Sequence, residues 1–336
     1  MSSIKVPREF TKPDDRMACK ALAISAGVVA AALAIPALFP GAWLSLTLGS
    51  ILFAAGILRL YSIQHDCGHY SFFTNRTWND LLGNLLCLFS GIAHSVLRYN
   101  HNLHHQHLGN LDHRDAHEVY VMTRREYESA PLSRKLFYRA YRHPITLFLI
   151  GPVLIYFVQY RWPRNTLKVS VRDVLLQNIA MFVFWGLIIT FLGWWSFYAL
   201  ILGSLLAGSF GIFVVYVGHN FEETYWRPSG DKTAHAAALR GASSLRLGPV
   251  VDFVLLNFGF HDLHHLNAKI PCYHLKTCNA SIAQDWNSAA IDVRGALSCL
   301  KWRLWDEDAN RMIPFPNSLL HDLSLNSHGP APSAEL

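Results

Sequence analysis

The sequence predicts an all-α membrane protein: two transmembrane helical hairpins, four spans in all, with interfacial helices and a cytoplasmic helical cap rich in histidine. Two observations carry that prediction. Of 336 residues 51% are hydrophobic and only 15% charged, and no Asp, Glu, Lys or Arg occurs from Ala21 to Leu58 or from Val174 to Phe221. A helix needs roughly 20 apolar residues to cross about 30 Å of hydrocarbon, so each charge-free run is long enough for two crossings. The second observation is that three dense histidine clusters lie outside both runs. A buried hairpin in a soluble core is the competing reading, but soluble core helices are shorter and keep a polar face.

In chain order, residues 1–16 read as a polar tail. The first hairpin, with spans at about 21–40 and 42–62, turns at Pro36, Pro40 and Gly41, residues that break or cap helices. The second, with spans at about 174–193 and 196–217, turns at Gly193, Trp194 and Trp195, where indole rings favour the membrane interface. Lys5, Arg8, Lys12, Arg16 and Lys20 precede the first hairpin, and Arg161, Arg164, Lys168 and Arg172 precede the second. Basic residues stay cytoplasmic, so both hairpins begin and end there and the histidine clusters share that side with both termini. Segments 81–97 and 144–160 are charge-free but at the lower length limit for a crossing. Crossing by one or both would separate the clusters, so both segments read as interfacial helices. Residues 17–316 then form one membrane domain, in which Ala283 to Met312 reads as a helix with Trp302 and Trp305 on an amphipathic face either packed under the cap or laid on lipid. Residues 317–336, rich in Ser, Pro and Ala, read as a flexible tail.

Charge and cysteines add limits. The net charge of +6 suits anionic headgroups or an acidic protein partner and does not call for nucleic acid. Arg124, Arg125, Arg134, Lys135 and Arg139, interleaved with aromatic residues, suit a membrane-surface cap or an ordinary solvated face. Six cysteines without a C-x-x-C pair read as reduced thiols. The first apolar run is too long for a cleavable signal peptide.

The clusters are His65-Asp-Cys-Gly-His69, His101-Asn-Leu-His104-His105 and His261-Asp-Leu-His264-His265, the last two sharing an H-x-x-H-H spacing. Imidazole suits zinc, copper, iron and nickel, and eight of them exceed what one ion takes, so at least two metals are expected. On a helix His65 and His69 stack one turn apart, while adjacent His104 and His105 diverge by about 100°. One member of each adjacent pair can therefore serve one ion and its neighbour the other. His219, at the end of the second hairpin, is placed to supply a ninth ligand, with a capping histidine as the alternative. Asp66, Glu222 and Asp262 are expected to accept the outer ring N–H of the ligands, although Glu222 and Glu223 also read as solvated charges. The zincin pattern H-E-x-x-H is absent, and redox chemistry on a lipid fits better. An alkyl C–H offers no acidity to a base and no leaving group to a nucleophile, so its cleavage falls to a metal.

With Tyr70-Ser-Phe-Phe73 after the first box, Gly109-Asn-Leu-Asp112 after the second, Gly218-His-Asn-Phe-Glu-Glu-Thr-Tyr-Trp226 and Gly259 to Leu275 around the third, the chain resembles the membrane fatty acid desaturases, above all bacterial acyl-lipid enzymes. The likeness runs from about residue 50 to 315, through Leu300-Lys-Trp-Arg-Leu-Trp-Asp-Glu307. It implies a di-iron centre, O2 as co-substrate and a cis double bond inserted into an acyl chain. It also implies His65, His69, His101, His104, His105, His219, His261, His264 and His265 as ligands and catalytic residues. Two departures stand out. Val215 occupies the place where animal acyl-CoA desaturases carry an Asn holding a metal-bound water, and no His-Pro-Gly-Gly haem motif of a fused cytochrome b5 is present. Electrons are therefore expected from a separate, ferredoxin-type donor. His107, His113, His117 and His274 fall outside the repeated spacing and read as solvated or as supporting the ligands from behind, and His94 reads as a hydrogen-bonded or interfacial histidine. A hydroxylase or ketolase of the same superfamily is the runner-up. A metal transporter fits poorly, since the hairpins contain no internal histidine.

Overall fold

The computed structural model describes residues 6–114, 119–162, 169–282, 286 and 288–316. The expected tail at 317–336, the first five residues and His117 lie outside that set. Among the described residues three helices are long and apolar enough to cross a membrane: α1 (Asp15–Leu38), α2 (Trp43–Gly68) and α7 (Val171–His219). α7 is a hairpin in itself. Gly193 sits at φ 80°, outside helical geometry, and the rings of Trp185 and Phe197 on either side of it are 5.9 Å apart. In a straight helix those residues would be separated by about 18 Å. α1 and α2 pack closely because Gly56 leaves room for Val29, whose Cγ2 would lie 2.5 Å from a Cβ there. The two hairpin turns lie side by side, with the Trp195 indole donating to Ala42 O and Ser45 Oγ, each at 3.2 Å.

The two short apolar segments do not form regular α spans. Segment 81–97 is divided between α3 (Arg76–Ser90) and α4 (His94–His107), which meet at 94°. Gly91 makes that turn in the left-handed region at φ 73°. Segment 144–160 is wound as π-helix over Thr146–Ile150 and Val153–Val158 and is bent by 61° against the preceding helix. If each bent pair counted as one span, the span-forming units among the described residues would number five, with the two-armed α7 counted once.

The cap departs from the expected all-α plan. Besides α5 (Arg124–Ser129), α6 (Leu132–Tyr141), α8 (Ala234–Arg240), α9 (Pro249–Val254), α10 (His261–Leu266), α11 (Cys272–Ile282) and α12 (Val293–Ser298), it holds, among the described residues, five short strands. β1 (Met122–Thr123) pairs in parallel with β4 (Leu304–Asp306), which pairs antiparallel with β5 (Arg311–Ile313). β2 (Ser243–Arg246) pairs in parallel with β3 (Ala289–Asp292). The helix expected over 283–312 is thus replaced, among the described residues, by strands around the single short α12. Trp305 is 2% exposed, packed with Trp226 and Met312 rather than laid on lipid.

The basic cluster also makes contacts within the cap: Arg124 pairs with Glu128 and Asp306, Arg125 with Asp308, and Arg139 donates to Tyr127 Oη. Residues 6–16, expected within a polar tail, are tied down. Asp14 caps α1 by accepting from Arg16 N and Met17 N, and its own N–H donates to Tyr273 Oη at 2.9 Å. Among the described residues all six cysteines are free thiols, five of them buried.

Candidate metal centre

Four helix ends deliver the nine predicted histidines to one place. α2 carries His65 and His69 in and just after its last turn. α4 carries His101, His104 and His105, α7 ends on His219, and the six-residue α10 carries His261, His264 and His265. α10 is short but well anchored, because Leu263 on its inner face is fully buried in the main core. A parallel bridge between Asn110 and Arg227 joins the loop after α4 to the loop after α7, so His219 is brought beside the second box.

The side chains divide into two groups, each with ligand atoms within 4.8 Å of one another: His65, His69, His101, His105 and His264 in one, and His104, His219, His261 and His265 in the other. The two H-x-x-H-H boxes exchange members. Each gives its first and last histidine to one group and its middle histidine to the other. Nε2 atoms face each other at 2.5 Å for His65 and His101, 2.8 Å for His105 and His101, and 2.9 Å for His105 and His264. In the second group His104 and His265 stand at 3.2 Å, His261 and His219 at 3.0 Å, and His265 and His261 at 3.1 Å. A ring whose Nδ1 carries the proton, as that of His219 does in donating to Gly241 O, presents Nε2 as a lone pair, and lone pairs converging in this way suit a cation between them. Burial first, then the neighbouring imidazoles, hold His261, His264 and His265 well below the usual histidine range. Neutral imidazole is the metal-binding form, so the donor set fits two metal ions.

The outer ring nitrogens are partly fixed. His65 Nδ1 is 3.2 Å from Asp66 Oδ1, and the other Asp66 oxygen accepts from Cys272 N at 2.6 Å, tying α2 to α11. His219 Nδ1 donates to Gly241 O at 2.8 Å, a partner that sequence reasoning missed because backbone carbonyls carry no motif. Two acids differ from expectation. The Asp262 carboxylate is occupied by Ser244 Oγ at 2.6 Å, Trp286 Nε1 at 2.6 Å and Ser288 Oγ, so it anchors α10 to the strands instead of a histidine ring. Glu222 points to the surface and pairs with Arg311 at 3.3 Å, because the chain leaves α7 at Asn220. Outside the groups, His94 is packed against Gly83, His107 stacks on His113, and His274 lies against Phe10.

A cavity of about 130 Å³ opens onto both groups, lined by His65 and His101 of one, His104 and His261 of the other, and apolar side chains including Leu97, Val214 and Phe258. A second, apolar cavity of about 90 Å³ continues between α2 and the arms of α7, past Phe53, Ile57, Trp185 and Leu200. Leu58, Tyr61, Gly211 and Val215 line both. The position that departs from the animal acyl-CoA enzymes is thus an apolar piece of cavity wall.

Long apolar helices carrying two imidazole groups suited to metal, with an apolar cavity beside them, define the class as a membrane-type histidine-rich metalloprotein. Comparison with known proteins makes this specific: the fatty acid desaturase family matches residues 41–292, and the chain belongs to it. It is 32% identical over 274 residues to the fatty acid desaturase of Bacillus subtilis, covering 80% of this chain and 78% of that one. It is 28% identical over 250 residues to an sn-1 oleoyl-lipid 12-desaturase of Synechocystis sp., covering 73% and 70%. A protein of the same name from Anabaena variabilis is 27% identical over 298 residues, covering 85% and 82%. As a member of the family the chain is an oxidoreductase of lipid metabolism, a fatty acid desaturase.

Proposed function

We propose that the protein is an O2-dependent desaturase that inserts a cis double bond into the acyl chain of a membrane lipid. The observation that carries this reading is the apolar cavity that meets both histidine groups and continues between the long helices. In balance, a –CH2–CH2– unit loses two hydrogens, and O2 takes them with two further electrons and two protons to give two waters. Those electrons come from a separate donor of the ferredoxin type. His65, His69, His101, His105 and His264 hold one iron, and His104, His219, His261 and His265 hold the other. Bound there, iron supplies the oxygen-activating redox chemistry that unactivated C–H bonds require.

The remaining work belongs to the protein. Asp66 and the Gly241 carbonyl orient His65 and His219 so that Nε2 faces inward. Leu97, Val214 and Phe258 keep water from the reacting carbons and hold the chain against the centre. Four crossings, α1, α2 and the two arms of α7, put the centre and both termini on the cytoplasmic side of a bacterial inner membrane. Basic residues ahead of each hairpin support that orientation.

The test is expression with a ferredoxin and its reductase in a host lacking the product, with acyl chains read by gas chromatography and mass spectrometry. New cis double bonds are expected, and His105→Ala or His265→Ala should abolish them. Hydroxylated chains in their place would move the protein to the hydroxylases.

A further inference from the structure

The two cavities share four wall residues, Leu58, Tyr61, Gly211 and Val215, and one of the four is smaller than its surroundings demand. On α2 the wall is a single stripe, Phe53, Ile57, Tyr61 and His65, rising about 18 Å from membrane interior to metal centre. On the second arm of α7 Gly208 and Gly211 line this region and Gly203 packs beside it, each for a different reason. A Cβ at Gly203 would lie 2.7 Å from Ser50 O and 2.8 Å from Phe53 Cβ, so close helix packing requires that glycine. A Cβ at Gly208 would press on Pro152 and Tyr156 at 3.0 and 3.1 Å. At Gly211 the nearest atom would be Leu58 Cδ2 at 3.9 Å, an ordinary contact. Glycine inside a helix costs about 1 kcal/mol relative to alanine, and here no protein neighbour accounts for it. Gly211 nevertheless lines both cavities.

Resting on the desaturase reading above, we infer that Gly211 is a specificity-determining residue. It keeps open the passage through which the methyl-terminal part of the acyl chain runs from the metal centre into the inner cavity. The methyl end is the part that fits there. The inner cavity lies between the middles of the long helices, and a charged headgroup or carboxylate would be desolvated in it with no charged side chain among the residues that line it. Ser204, a polar group on its wall, already spends its hydroxyl hydrogen on Leu200 O at 2.7 Å. The length of chain beyond the new double bond is therefore limited by the inner cavity, and access to that cavity is set at residue 211.

The test compares wild type, Gly211→Ala and Gly211→Leu with Gly27→Leu as a control for bulk added in a span, since Gly27 is exposed on α1 with nothing within 4 Å of its Cβ position. Each protein is offered myristoyl, palmitoyl and stearoyl lipids, and product is quantified per bound metal. A methylene in an apolar pocket is worth about tenfold or more in discrimination. Gly211→Leu should raise the myristoyl-to-stearoyl product ratio by about tenfold or more, Gly211→Ala should shift it the same way by less, and Gly27→Leu should leave it unchanged. A parallel readout independent of turnover is displacement of a fluorescent fatty acid by saturated acids of graded length, where the same order should appear. If both Gly211 variants keep the wild-type ratio and displacement order, or lose all chain lengths equally, the inference is overturned. Should Gly211→Leu fail to fold, Gly211→Ala decides alone. A wild type that binds the acids in graded order but forms no double bonds would defeat the desaturase reading and leave the passage at Gly211 standing.

Discussion

His104 and His105 are neighbours in sequence but belong to different groups: His105 Nε2 stands 2.9 Å from that of His264, whereas His104 Nε2 stands 3.2 Å from that of His265. Each box thus contributes two residues, four apart, to its own group and lends the one between them to the other. The roughly 100° between adjacent side chains on a helix makes this exchange possible.

The first expectation concerns stoichiometry. His69→Ala and His104→Ala should each lower bound iron from two towards one, and the pair combined should lower it towards none. Elemental analysis with Mössbauer spectroscopy reads this directly, and two irons retained in either single variant would contradict the division.

Asp66 bridges His65 and the start of α11. Asp66→Asn should weaken iron binding by about 10- to 100-fold, as for other carboxylates that orient a ligating histidine. Chelator competition measures it.

Asp262 and Glu222 should behave oppositely. Asp262→Ala leaves buried hydroxyls and the Trp286 indole without an acceptor, at about 1–3 kcal/mol for each group stranded, visible in thermal denaturation. Glu222→Gln removes an exposed ion pair with Arg311 and should change stability by about 1 kcal/mol or less, with iron content intact.

Metal-free protein should be acid-sensitive. His261, His264 and His265 resist protonation when folded, whereas unfolded imidazoles take up protons near pH 6.5. Below about that pH the unfolded chain binds more protons, so stability falls as pH falls and is level above it. A melting temperature of chelator-treated protein that stayed flat from pH 7.5 to 5 would refute this.

The long helices and the nine histidines were legible because length, missing charge and motif spacing are local properties. The splitting of adjacent histidines was legible for the same reason, since helical geometry alone dictates it. Trp302 and Trp305 misled because a spacing of three imitates a helix face, while the pairing of β4 with β1 is set by residues far away in sequence. Glu222 misled because a three-residue offset from His219 has meaning only while the helix continues, and it stops at Asn220.

The exchange of histidines between boxes also governs biogenesis. A nascent chain already made through its second box and its second hairpin still lacks His264 for one group and both His261 and His265 for the other. Neither closes until the ribosome has delivered α10, so both groups are completed by the same six residues, after all the long helices have been made.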